Sequence, residues 1–543
     1  MFGRTTLLIA LALALALPAS APARQGVSVK APIGLKAFLL RYDESTRRNF
    51  SRTPSFGWKP TSQAMSYDFQ LATSNTFRDN SIVWSADGLN TPFTAVPIAL
   101  PWTTGHPYSL FARVRAHVQR STTFWSASFG FNVTWGEIPA QLSAPNGLLR
   151  WTSVDGASEY QIRESGESPG FGNWVKNAYV ATNVSDMRDW FTFHQSSAWV
   201  GTAYWRVRAI RVAYGTMQNG QPRVSYGPWS PLFQSHATPP SASQLTLGDT
   251  VSDVTGTVAN PAAHKIMPGF SWSGSISGGF SSELYRVYVF SDSDCVEPVL
   301  TGSIVGSPAW VPRLNGPLLL PTSSEDIAKA RGSILNDGDQ TSAYDYARAA
   351  VTTSETSSTD SSLSTSRLDL WDRDWPSGAY YWTVVPVTWF TNALAGDAFE
   401  YQDTQAAQDA CAAGRIARFG RASEAVPTKG KKAFVTGLSI AGKMTSAAAS
   451  RSPRVYGRST LVTWTPALGA DEYEVQWGHT RYPFQKVGNS VVASTSVALS
   501  LQPGTWYYRV RGINTGLPSG VQGMAWSSVH KIRIAKPVFR VTR

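Results

Sequence analysis

Cysteine, charge and long apolar runs are all scarce in this 543-residue chain. Acidic and basic side chains together make up 15% of it, against 12% aromatic residues with 21 tryptophans. A disordered chain would show the opposite balance, so this one folds. The seven histidines (106, 117, 194, 236, 264, 479 and 530) are scattered without the His-Glu-x-x-His spacing that turns two imidazoles onto one zinc ion. No Walker loop or dinucleotide fingerprint occurs, and no nucleophile elbow is expected. Two carboxylates would suffice for a glycosidase, but those sit on large barrels or in deep clefts for which small sandwiches leave no length. No enzyme is expected, and no catalytic residue, cofactor or resident metal.

The one apolar run is Leu7 to Leu17, behind Arg4 and ahead of Ala21-Pro22-Ala23. A bilayer span needs about 20 residues, so the run reads as the core of an export signal over residues 1–23. No cysteine follows it to carry a lipid, and the C-terminal KPVFRVTR has no sorting tail. The expectation is a secreted, extracellular chain with no transmembrane segment in its mature part, either released or held to the cell envelope by non-covalent forces. In that oxidising setting Cys295 and Cys411, 116 positions apart, are expected to form one disulfide.

Gly and Pro, 44 and 33 in number, are spread evenly, as many short strands joined by turns require. A pattern then repeats. Trp58 is followed nine positions on by Tyr67, Trp151 by Tyr160, and Trp464 by Tyr473; a looser copy sets Trp272 thirteen positions before Tyr285. Downstream come Phe111-Ala-Arg-Val-Arg-Ala116, Tyr204-Trp-Arg-Val-Arg-Ala209 and Tyr507-Tyr-Arg-Val-Arg-Gly512, with Tyr380-Tyr-Trp-Thr-Val-Val385 in the looser copy. Their period of two predicts strands with Ala112, Val114 and Ala116, or Trp205, Val207 and Ala209, inward and the arginines outward. Trp125-Ser126, Trp229-Ser230 and Trp526-Ser527 close three copies.

This layout resembles the fibronectin type III module, a seven-stranded sandwich of about 100 residues. There the Trp lies on the second strand, the Tyr opens the third, and the Tyr-x-Val run is the sixth. The resemblance implies an all-β chain of tandem immunoglobulin-like sandwiches, with modules at about 30–137, 138–238, 239–425 and 426–543. Tyr380, after Pro376 and Gly378, stands where the family has its corner tyrosine, and Trp506 stands there after Pro503-Gly504. The third module is long enough to hold an insertion at about 313–370. Within it Ser323-Ser-Glu-Asp326 reads as a helix start, Ile327 to Arg331 as a short helix, and Thr352 to Ser366 as a flexible loop.

The outward pairs Arg113 and Arg115, Arg206 and Arg208, and Arg509 and Arg511 admit two readings. One is an anion-binding stripe. The preferred one is structural: Trp125, Trp229 and Trp526 each lie between two guanidinium planes in a cation–π ladder, as in some receptor modules of this family. Charge is uneven too. From Arg415 to Arg458 there are ten Lys or Arg against Glu424, including Lys429, Lys431 and Lys432, a candidate patch for an anionic envelope polymer or else a solvated linker. No stacking platform accompanies it, so nucleic acid is not expected. Asp292 and Asp294, Asp337 and Asp339, and Asp372 and Asp374 do not complete a calcium loop and read as turn residues. Trp84, Trp102, Trp174, Trp190, Trp199, Trp310 and Trp389 lie outside the repeat and are candidates for a sugar-stacking platform, with burial the preferred reading. The expected function is therefore a secreted, non-catalytic binding or scaffold protein in adhesion or envelope association, its partner an unidentified extracellular polymer or protein. The alternative is a polysaccharide-binding protein using surface aromatics.

Overall fold

The structure is a computed structural model. It describes residues 30–39, 47–165 (without 106 and 120), 174–187, 201–237 (without 219–220), 245–273, 284–311 (without 297, 303–304 and 306), 377–400 (without 393–395), 404–422, 434–438, 444–447, 454–456 and 459–535 (without 468, 514–522 and 525). Among these residues eight sheets form four sandwiches, each a small sheet facing a larger one. In the first, Lys36–Phe38, Ser55–Gly57 and Phe93–Thr94 make the small sheet. The larger one centres on the antiparallel strands β1 (Ala64–Ala72) and β2 (Leu110–Val118), with Ile82–Leu89 outside β1, and β3 (Phe129–Val133) outside β2. Asn49–Phe50 runs parallel to β3.

The same order recurs three times. The central pair and closing strand are β4 (Glu159–Ser165), β5 (Gly201–Gln218) and β6 (Phe233–Ala237) in the second sandwich. They are β7 (Leu284–Phe290), β8 (Gly378–Asn392) and β9 (Ala417–Arg421) in the third. In the fourth they are β10 (Glu472–Gly478), β11 (Gly504–Ile513) and β12 (His530–Ala535). This is the strand order of a fibronectin-type-III-like sandwich. The repeated Tyr does open the third strand, and the repeated Arg-Val-Arg does occupy the sixth.

The nine-residue spacing of Trp and Tyr has a local cause. Each Tyr hydroxyl accepts the backbone N–H six residues upstream, from Thr61 to Tyr67 (3.0 Å), Val154 to Tyr160 (2.7 Å) and Ala467 to Tyr473 (3.0 Å). That bond closes the turn out of the second strand and satisfies an amide that the sheet cannot. The ring then meets its Trp edge-on, with centroids 5.3, 5.5 and 5.4 Å apart. Trp272 and Tyr285 keep this contact at 5.5 Å despite their longer spacing. Such a pair contributes about 0.5–1.5 kcal/mol beyond the area it buries. Along β2 burial alternates strictly, with Ala112, Val114 and Ala116 inside and fully buried.

The third sandwich departs from the others. Cys295 and Cys411 are joined in a disulfide. The bridge holds α1 (Thr404–Ala412) over the outer face of β7 and β8, where Ala407 and Ala410 cover Tyr288, Phe290 and Val385. The helix expected at 327–331, and the whole insertion at about 313–370, lie outside the described residues.

The sandwiches are packed together. One continuous core runs from Ala37 through Trp58, Trp151 and Trp205 to Val251 and Val311, so the first three share it. Phe38 and Phe93 of the first pack on Leu461 of the fourth, and Ile266 of the third enters the fourth's core. Thr495 donates to the Leu39 carbonyl at 2.8 Å. An end-to-end row of modules would keep the first and fourth apart; here they touch.

Candidate binding surface

On the outer face of the larger sheet, three sandwiches build the same device. Trp125 lies 4.3 Å from the Arg113 guanidinium carbon and 4.6 Å from that of Arg115, measured to the ring centroid. Trp526 has Arg509 at 4.3 Å and Arg511 at 4.6 Å, and Trp229 has Arg206 and Arg208 both at 4.6 Å. The Trp is set in place by the Ser after it. Ser126, Ser230 and Ser527 each bond the central Val of the Arg-Val-Arg run through both N–H and Oγ, Val114, Val207 and Val510 being the partners. The closing strand starts four residues beyond each Trp. The outward arginines are thus spaced by the strand, and the Trp is brought between them by a side-chain bond.

The neighbouring central strand supplies acceptors. In the first sandwich Arg113 donates to Gln70 (2.6 and 2.8 Å) and Arg115 pairs with Asp68 at 2.9 Å. His117 joins the same carboxylate at 2.7 Å. Although burial works the other way, bonds from His117, the Gly88 amide and Arg115 hold Asp68 below the usual carboxylate value. The fourth sandwich repeats this with Arg509 on Gln476 and Arg511 on Glu474. Phe77 and Phe484 extend these two ladders, 4.2 and 4.4 Å from Arg113 and Arg509. In the third sandwich the pairing of β7 with β8 puts Thr383 and Val385 where the arginines stand elsewhere. Apolar and hydroxyl side chains there accept the cover of α1 in place of a ladder.

A second cluster of charge is buried where the first, second and fourth sandwiches meet. Arg52, 5% exposed, bonds Asp155 of the second and the Ala470 carbonyl (2.7 Å) and Tyr473 hydroxyl (3.2 Å) of the fourth. Arg211, 1% exposed, donates to the Leu100 carbonyl (2.6 Å), the Gly156 carbonyl (2.9 Å) and Thr53 Oγ1 (3.3 Å). Burial and the neighbouring Arg52 pull Arg211 down to about 10, so it stays charged at neutral pH. Burial and the approach of Asp471 push Glu159 up to about 8 and Glu472 up to about 7. These groups hold sandwiches to one another.

Other sequence candidates fall as follows. Trp102 and Trp310 are buried, and Trp84 is half-buried against Phe69. The side chains of Trp174, Trp190, Trp199 and Trp389 lie outside the described residues, as do Lys429, Lys431 and Lys432. Asp292 accepts the Asp294 amide at 3.0 Å, a turn bond, while Asp337, Asp339, Asp372 and Asp374 are not described. Trp506 donates to the Gln502 carbonyl at 2.8 Å, the upstream backbone bond of a corner residue. Gly166-Glu-Ser168-Pro-Gly170 does match the letters of a nucleophile elbow. It joins two antiparallel strands, whereas an elbow joins strand to helix, and it too lies outside the described residues. Among the described residues no group of three or more His, Cys, Asp or Glu is arranged to hold a metal, and no helix is long and apolar enough to cross a membrane.

Sequence reasoning missed Arg52, Arg211, Glu159, Asp471 and the acceptors of the ladders. The acceptors did leave a signal, a Gln or acid at one or three residues after the repeated Tyr. The junction residues left none, because they meet across hundreds of positions.

No protein-family model matches the chain, and no curated protein matches it. Among solved structures, the crystal structure of the FN1–FN3 domains of chicken CNTN1 is 13% identical, covering 74% of this chain and 98% of that one, with a TM-score of 0.14. The fold assignment rests on the strand order and pairing within this chain: it is an all-β assembly of fibronectin-type-III-like sandwiches.

Proposed function

We propose that this protein is an exported, non-catalytic binding scaffold, acting in adhesion or in association with a cell envelope through modules with the boundaries expected from the repeats. The observation behind this reading is the threefold recurrence of a solvent-facing arginine–tryptophan ladder on rigid sheets, while the buried titratable groups are spent on joining sandwiches. A repeated, prearranged face suits binding to an extended partner, since several modest contacts on one body act together. The disulfide suits an oxidising compartment.

The alternative is sugar stacking on surface aromatics. Burial of Trp102 and Trp310 removes two of its candidates, but Phe124 and Tyr482 are 87% and 73% exposed and keep it in play. Sedimentation of the mature protein with envelope and insoluble-polysaccharide fractions across a salt series separates the two. Binding that falls steeply with salt, and falls further when Lys429, Lys431 and Lys432 are neutralised, supports the charge-led scaffold. Salt-insensitive binding to polysaccharide supports stacking, and binding to neither fraction rules out envelope association and stacking and points to a protein partner.

A further inference from the structure

The positive charge of the chain is concentrated in the fourth sandwich. Residues 426–543 contain sixteen Lys or Arg against three acids, an excess of thirteen where the whole chain has a net charge of +12. Strand directions sort these charges between two ends. The acids Asp471, Glu472 and Glu474 stand at the start of β10, the end where Ala470, Ala493 and Thr495 bond to the first sandwich. Glu474 is there paired with Arg511 at 2.6 Å. At the opposite, distal end β10, β12 and the strands Phe434–Leu438, Arg454–Tyr456 and Ser496–Ser500 finish, while β11, Ser459–Thr463 and Gly488–Val492 begin. The segments that join or follow those strand ends are 439–443, 457–458, 479–487, 501–503 and 536–543. Together they contain seven Lys or Arg and no Asp or Glu.

Of these segments, 479–487 is described throughout and leads from β10 into Gly488–Val492. Its inward rings fix it to the sheet. His479 lies against Trp506 with centroids 3.8 Å apart, and Phe484 lies 4.4 Å from the Arg509 guanidinium carbon. The Val487 amide donates to the Trp477 carbonyl at 2.8 Å. A side chain at Gly478 would collide with the Gln485 carbonyl, so the loop folds back directly over the end of β10. What it turns outward is apolar and cationic. Tyr482 is 73% and Val487 60% exposed, with Arg481 and Lys486 exposed beside them. Arg481 lies 5.3 Å from the Tyr482 ring, and among the described residues neither it nor Lys486 has an ion-pair partner.

This set of side chains discriminates between anionic partners. Val487 offers a sugar or a nucleobase no flat face, and a hydrated polymer would leave it in water. The boundary between headgroups and acyl chains removes both Val487 and the Tyr482 ring from water and keeps the Tyr hydroxyl wet. Arg481 and Lys486 then reach the phosphates, where the absence of any acid in the distal segments leaves their attraction unopposed. We propose that loop 479–487 docks this protein on an anionic phospholipid bilayer, Tyr482 and Val487 entering the interface and Arg481 and Lys486 meeting the phosphates. This rests on the envelope association proposed above and names its partner and its point of contact.

The test floats the mature full-length chain with vesicles of phosphatidylcholine, alone or mixed equally with phosphatidylglycerol. The wild type should bind the mixed vesicles and not the neutral ones. Arg481→Gln with Lys486→Gln should weaken binding about 25-fold, about fivefold for each charge. Tyr482→Ser with Val487→Ser should weaken it by about tenfold or more. A second readout locates the contact. With both native cysteines in the disulfide, Val487→Cys supplies a single thiol for an environment-sensitive fluorophore. Its emission should move to the blue on mixed vesicles, whereas a label on Val258→Cys, at a 48% exposed position of the third sandwich, should not respond. Equal binding by wild type and both variants, or equal responses from the two labels, overturns the loop as the docking point. Tighter binding to polygalacturonate or single-stranded DNA than to mixed vesicles overturns the lipid partner. A chain that sediments with envelope fractions and ignores vesicles overturns this inference alone; one that binds neither overturns envelope association as well.

Discussion

At the scale of single residues, the repeated tryptophans do two kinds of work. Trp58, Trp151, Trp272 and Trp464 are buried between the sheets. Trp125, Trp229 and Trp526 lie outside and are held by guanidiniums and the bond of the following Ser. Trp526→Ala should therefore cost about 1–3 kcal/mol in urea unfolding, the sum of two cation–π contacts and the area lost. A cost near zero would show that the ladder adds nothing to the fold. His264 is a second sensitive residue. It is fully buried between Thr250 Oγ1 (2.9 Å) and Ser252 Oγ (2.8 Å), and burial lowers it to about 4, against the weaker opposing pull of Asp253. The unfolded chain then binds a proton that the folded one refuses between about 6.5 and 4. Its contribution is complete above pH 6.5 and lost as pH falls through that window, by up to about 3 kcal/mol. Subtracting the unfolding energies of His264→Gln from those of wild type at pH 7 and pH 4.5 isolates it; a difference independent of pH would contradict the assignment.

At the scale of elements, alternation and the Trp–Tyr spacing were legible because both are local. A strand with one buried face must alternate, and the Tyr hydroxyl must reach an amide six residues back. The helix α1 was not legible. Its sequence, Thr404 to Ala412, has no acid in its first turn, no base in its last and only a weak apolar stripe. It is helical where it is because Cys411 ties it to Cys295 and its alanines fit the side chains of β7 and β8. On the chain-entropy argument, closing 116 positions is worth about 4–5 kcal/mol. Reduction should thus lower stability by an amount of that order and raise amide exchange in α1 before it does so in β10 and β11. Uniform exchange across both would show that the bridge acts on the whole chain and not on the third sandwich.

At the scale of the whole molecule, the buried junction decides how the sandwiches sit together. Arg52 and Arg211 are desolvated and satisfied by carbonyls from three sandwiches. Removing one such side chain leaves its partners unmet, so Arg52→Met or Arg211→Met should cost about 3–5 kcal/mol and enlarge the radius of gyration in solution scattering. An unchanged scattering profile would mean that apolar contacts alone hold the arrangement. Glu159 sets a pH limit from the other side. Its folded value of about 8 lies above its unfolded one, so its contribution is complete below about 4.5 and lost as pH rises to about 8. Glu159→Gln should remove that decline; a decline that persists in the variant would assign it to Glu472 or another group.

The sequence alone determined the all-β class, the fourfold repeat, the inward and outward faces of the Arg-Val-Arg strands, and the pairing of the two cysteines. Each depends on spacing within one strand, or on there being a single pair of thiols. Tertiary structure decided what depends on juxtaposition. It set the first sandwich against the fourth, brought Arg52 to Ala470 across 418 positions, and laid α1 where a ladder stands elsewhere. It also placed Arg163 opposite Arg206. Register decides that last pairing, because it fixes which outward side chains of two neighbouring strands stand directly opposite each other.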